Sequence, residues 1–161
     1  MGVSVGFVGT TAEELDRAWR EPEWAEPYVW ELYDSGTFRR DGRLDCGPAN
    51  AWAGPRFLFD AADVPPEFLM DGFMIAEDGT LFGWTVEEFT ALAAQVRGTP
   101  WERPAAHYDP ARMARDDVHP NPWAFDPAGR REWIQAAYEE LVAFVTGAAE
   151  RGQGAFMSFA R

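Results

Sequence analysis

The chain has 161 residues, room for one domain with a sizeable core. Asp and Glu number 27 against 14 basic residues, a net charge of -13 that opposes any phosphate backbone, so nucleic acid is excluded as a partner. Every basic residue is Arg; without Lys there is neither Schiff-base chemistry nor a phosphate loop ending in Lys-Ser/Thr.

From the N-terminus, Val3, Val5 and Phe7 alternate with small residues and predict a strand with one buried face. Thr11 followed by Glu14 is a capping box, so a helix follows with Leu15, Ala18 and Trp19 on one face. Pro22 is expected to stop or bend it, and Pro27 to open a second helix over 28–33 that ends near Gly36. The arginine-rich run between Thr37 and Leu44 reads as a solvated loop. Residues 50–62 suit a helix that Gly54 and Pro55 would kink or break. Residues 64–80 read as a loop with a short strand over 73–76, and residues 81–84 as its hairpin partner.

Thr85 with Glu88 forms a second capping box before a helix that runs to Gly98. Thr99-Pro100, Asp109-Pro110 and Asp126-Pro127 each read as an N-cap followed by Pro at the first helical position. The last of these opens the longest helix, with an apolar stripe from Ile134 to Ala148 and a stop at Gly152. Residues 155–160 close the chain as a strand. The architecture expected is a single α+β domain over 1–161. In it a small mixed sheet holds both the N- and C-terminal strands, packed by the long C-terminal helix and several shorter ones. Gly6 and Ala155 are small enough to let a helix approach that sheet closely.

These elements carry a resemblance. The opening strand, the helix TAEELDRAW, the helix TVEEFTALAAQV, the YDPARM box at Tyr108 to Met113 and the ending YEELVAFVTGAAERGQGAFMSFA together resemble the YfbM-like family, bacterial proteins of unknown function. The segment around Leu44, Trp52 and Phe57 is similar to a family helix motif, with Arg56 standing where the family tends to have His. The resemblance implies a cytosolic α+β domain and supplies no activity.

Four patterns bear on chemistry. Gly2-Val3-Ser4-Val5-Gly6 spells the G-x-S-x-G of a nucleophile elbow, yet residue 4 has no strand before it and no helix directly after it. Gly6 and Gly9 lack the full glycine spacing of a phosphate turn. The lone Cys46 sits between Asp45 and Gly47 with no cation to activate it, which predicts a small buried thiol. The two histidines, His107 and His119, fall in one polar stretch with Tyr108, Asp109 and Asp117, the residue types of a metal-assisted hydrolytic or acid-base centre.

Against that catalytic reading stands the segment 13–34, where eight carboxylates interleave with Trp19, Trp24, Tyr28, Trp30 and Tyr33 and only Arg17 and Arg20 offset the charge. Aromatic side chains anchor interface centres and carboxylates steer a basic partner, so Glu23 and these five aromatics form a candidate protein-binding surface. A third reading is a small-ligand binder with Trp101, Tyr108 and Trp123 around an apolar pocket. The function expected is an acidic, tryptophan-rich, non-catalytic protein-binding module with no cofactor and no resident metal. It would bind a basic protein partner, work as a monomer or homodimer, and reside in the cytoplasm without membrane attachment, since no stretch nears the ~18 apolar residues of a spanning helix.

Overall fold

Alternation of large and small side chains along both ends of the chain builds the centre of the molecule. In the computed structural model, which describes residues 4–49, 51–64 and 72–160, β1 (Ser4–Thr10) and β5 (Gly154–Ala160) lie side by side. They share seven aligned pairs running from Ser4 opposite Ala160 to Thr10 opposite Gly154. β2 (Asp45–Ala49) pairs with β1, while β4 (Leu81–Trp84) and then β3 (Phe73–Met74) extend the other side, giving the order β2-β1-β5-β4-β3. Every described pairing is antiparallel, where a mixed sheet was expected. The reason lies in the ladder itself: β5 begins beside the end of β1, so the two central strands oppose one another and their outer neighbours follow suit.

Period-two alternation sends side chains to two helical layers. Val5, Phe7, Ala155, Met157 and Trp84 face α5 (Val86–Arg97) and the 24-residue α8 (Pro127–Glu150), packing on Leu141, Phe144, Val145 and Phe89. Val8, Leu81 and Phe156 face the opposite way, onto Leu15 and Ala18 of α1 (Ala12–Arg20) and Val29 and Leu32 of α2 (Pro22–Asp34). A satellite core joins Leu58 of α4 (Ala53–Ala61), Met113 of α7 (Pro110–Arg115), Trp123 and Ile134. Two further short helices, α3 (Thr37–Arg40) and α6 (Glu102–Ala105), complete the described elements. Among the described residues no helix is long and apolar enough to cross a membrane.

Several local expectations are corrected. Pro22 stands at the first position of α2, and Pro27 lies inside that helix instead of opening it. The helix runs through because Ala25, Val29 and Leu32 bury one stripe on both sides of the proline. The run 37–44 is not simply a solvated loop, for it holds α3 and directs Arg43 inward. Strand β2, unpredicted, contains Gly47 and Pro48 and runs along the sheet edge, where a residue without an N–H is tolerated. Gly54 and Pro55 sit in the first turn of α4, where proline costs little. Gly54 also lets the helix approach α8: a Cβ there would come within 2.9 Å of Ile134 Cγ1.

Thr99 does not cap α6; its hydroxyl donates back to the Gln95 carbonyl at 2.8 Å. Asp109 and Asp126 do cap, accepting from Arg112 N at 2.9 Å and Gly129 N at 3.2 Å. Trp19 leaves the buried face expected for it and is 67% exposed, its ring edge-on to Phe73 at 5.4 Å. Of the expected strand 73–76 only Phe73–Met74 is a strand, and Val3 and residues 65–71 lie outside the described residues.

Because Phe156 is fully buried between the central ladder and the α1–α2 layer, Phe156→Ala is expected to lower the unfolding free energy by about 3–5 kcal/mol. Urea denaturation followed by tryptophan fluorescence measures this; a loss below about 1 kcal/mol would mean that α1 and α2 are not anchored there.

Candidate functional site

The histidine-centred stretch separates into structural duties. Asp109 is occupied as the α7 cap, and the Tyr108 hydroxyl donates to the Pro127 carbonyl at 2.7 Å, tying that cap to the start of α8. Asp117, at φ 51°, accepts from the Asn121 amide at 2.7 Å and so closes the turn that contains His119. His107 is exposed and His119 half-buried. Among the described residues no group of three His, Cys, Asp or Glu side chains is placed to hold a metal ion. The three aromatics of the small-ligand reading are packed as well: Trp123 is fully buried with its indole N–H on the Val118 carbonyl, and Trp101 lies against Tyr138. They fill core instead of walling a pocket.

The segment 13–34 divides according to helix geometry. On α2, residues 24 and 28 share one stripe, and residues 23, 26, 30 and 33 another. Along the first stripe Trp24 and Tyr28 stack at 4.5 Å and are half-buried, a correction to their expected exposure. Arg17 covers Trp24 at 4.1 Å and also pairs with Glu21 at 3.0 Å. The Tyr28 hydroxyl accepts from Arg43, whose guanidinium grips Glu14 through two bonds of 2.7 Å. Thr10 donates to the same carboxylate. Burial raises the Glu14 carboxyl, but the bonds from Arg43 and Thr10 and the charge of Arg43 outweigh it, so its pKa lies below the ordinary value. This explains why the first capping box is half complete: Thr11 accepts from Glu14 N, while the Glu14 carboxylate has turned to Arg43.

Along the second stripe lies a groove. Glu23 and Glu26 are exposed, Trp30 is 39% exposed, and Tyr33 is tucked against the sheet with its ring 6.3 Å from that of Trp30. The sheet beneath is made of small residues, since Ser4 pairs with Ala160 and Gly6 with Ser158 on the central ladder. Gly6 makes room here, for a Cβ would come within 3.3 Å of the Tyr33 hydroxyl, a tight approach that the ring would have to ease. Trp30 and Ala160 border two hollows, one of about 250 Å³ toward Ser4, Gly6, Tyr33 and Gly47, the other of about 480 Å³ toward Glu26, Asp78, Thr80 and Phe159. Sequence reasoning singled out Trp30 and Tyr33 but missed the floor and Asp78. The signal available was the small residue at every second position near both termini.

Cys46 is buried on β2, and its thiol pKa is pushed up by desolvation first and then by the charges of Glu140 and Asp45. It is inert by environment, as its flanking residues predict.

Three comparisons bear on this chain. Over residues 1–158 it matches the family described as "Domain of unknown function (DUF1877)". Its fold is similar to the crystal structure of YfbM from Escherichia coli, a protein of unknown function, with a TM-score of 0.69 at 12% sequence identity, over 98% of this chain and 99% of that one. No curated protein matches it.

Two expectations follow from the electrostatics. Glu14→Gln should destabilise the protein at pH 7 by about 1–3 kcal/mol, because Arg43 loses its charged acceptor. Since the folded Glu14 pKa is depressed, its contribution is present above the unfolded value and disappears as pH falls through the folded one. Denaturation curves of the two proteins should therefore draw together as acidification carries the pH down through the folded Glu14 pKa, and a gap that does not narrow on acidification would refute the assignment. Cys46 should resist alkylation by iodoacetamide in native protein at pH 8 and react once urea unfolds it, which mass spectrometry reads directly.

Proposed function

From the premise that the chain belongs to this family of unknown function, we propose that it is a non-catalytic binding module whose α2 face docks a basic protein partner. The observation that carries the reading is Trp30: an exposed indole set between two hollows, with Glu26 and Asp78 bordering the larger one. Partly exposed tryptophans in concave settings are the side chains that anchor interfaces, and carboxylates beside them favour a cationic partner. The protein's field points the same way, since the net charge of -13 repels acidic macromolecules and draws basic ones. Trp19 adds a second exposed anchor near the same helical layer. Asp109, Asp117 and Tyr108 are engaged in caps and turns, which favours binding over turnover.

A photo-reactive residue introduced at Glu23, beside the groove, should cross-link a basic protein in the source cell. The same group at Glu139, on α8 across the sheet, should not. In an extract of those cells, adduct formation is expected to be lost when irradiation is done at about 1 M salt, where the screening length falls to ~3 Å, and in a Trp30→Ala variant, which should cost about 2 kcal/mol or more of affinity. Equal adducts from both positions, or adducts indifferent to Trp30→Ala, would overturn the reading.

A further inference from the structure

We infer that the groove reads sequence in the partner: an arginine and an apolar residue two positions apart on an extended segment, straddling Trp30. The inference rests on the binding reading above and assigns the two hollows different guests. On the sheet side the hydroxyls of Ser4 and Ser158 donate to the carbonyls of Ala160 and Gly6, at 3.4 and 3.5 Å. With those donors turned into the ladder, the hollow beside Val5, Gly6 and Tyr33 presents an apolar surface. On the other side Glu26 and Asp78 supply two carboxylates to the hollow that Thr80, Phe159 and Ala160 also line. Asp78 is held in place by its turn, accepting from Thr80 N at 3.0 Å and Thr80 Oγ1 at 2.6 Å. Among the described residues Glu26 has no arginine partner.

The dimensions favour side chains over a free metabolite. Small-molecule sites enclose about 300–1,000 Å³ in one enclosed cleft. Here about 250 Å³ and about 480 Å³ lie open on either side of one indole. An extended chain rises 3.2–3.4 Å per residue and turns every second side chain to the same face, so residues i and i+2 project together roughly 7 Å apart, enough to straddle one aromatic ring. Arginine suits the acidic hollow better than lysine, because its planar guanidinium stacks on an indole while its N–H fork reaches carboxylates. A second copy of this chain is a poor occupant, since each copy carries a charge of -13.

The test uses the full chain labelled with 5-fluorotryptophan, the Trp30 resonance being identified by its loss in Trp30→Phe. The probes are three capped peptides: Ala-Arg-Ala-Leu-Ala, the same with Glu replacing Arg, and Ala-Arg-Leu-Ala-Ala. The first should move the Trp30 resonance and bind about tenfold more tightly than either of the others. The double variant Glu26→Gln with Asp78→Asn, which keeps both hydrogen-bonding shapes, should weaken it by about tenfold or more. A Trp30 resonance unmoved at peptide concentrations on the order of 1 mM, or moved equally by all three, would overturn the inference. Cross-linking at Glu23 without peptide discrimination refutes this inference alone. Peptide discrimination without a cross-linked partner supports it and refutes the proposed physiological role.

Discussion

The seven pairs that join β1 to β5 place the two ends of the described chain at the centre of the sheet, and the other layers depend on that register. It puts Val5, Phe7 and Met157 under α8 and Val8 and Phe156 under α1 and α2, so both helical layers rest on the same two strands. It also stacks four small residues, Ser4, Gly6, Ser158 and Ala160, at one end of the ladder. A slip of one position in either strand would turn its side chains to the opposite face, driving the large ones against the wrong helical layer and into the groove.

Because that floor is small, Tyr33 descends onto the sheet while Trp30, three residues earlier on α2, is left at the rim with hollows on both sides. The exposed indole is a consequence of packing geometry: residues 30 and 33 share a stripe, but one of them meets the sheet and the other overhangs its end. The opposite stripe is handled differently. Arg17 caps the face of Trp24 and pairs with Glu21, while Arg43 gathers Glu14 and Tyr28, so two cations engage two of this layer's aromatics and two of its carboxylates. Trp30 stands on the other stripe, with Glu26 and Asp78 beside it around the larger hollow.

Much of this was legible in the residues, and the reasons differ from element to element. Thr85 with Glu88, Asp109-Pro110 and Asp126-Pro127 predict helix starts because a cap is a local bargain between one side chain and the next few amides. Cys46 was readable as an inert thiol from its flanks. The terminal strands and α8 follow from periodicity, which reports which face is buried. By contrast β2 was missed, since Gly47-Pro48 argues against a strand until a neighbour accepts it at the sheet edge. The Thr11–Glu14 box was half right for a related reason: local spacing proposed the bond to the backbone, and Arg43, far along the chain, offered the carboxylate a stronger one.

The amino-acid sequence by itself determined the charge, the fold class, most helix starts and the presence of an acidic aromatic segment, because each depends on composition or on neighbours within a turn or two. Tertiary structure alone decided which aromatics of that segment stay open and which carboxylates face them. Trp30 and Asp78 meet only through α2 and the β3–β4 hairpin packed on a shared sheet, and Trp24 is closed by Arg17 from another helix. Exposure is a property of what covers a side chain, and the covering residues here come from distant parts of the chain.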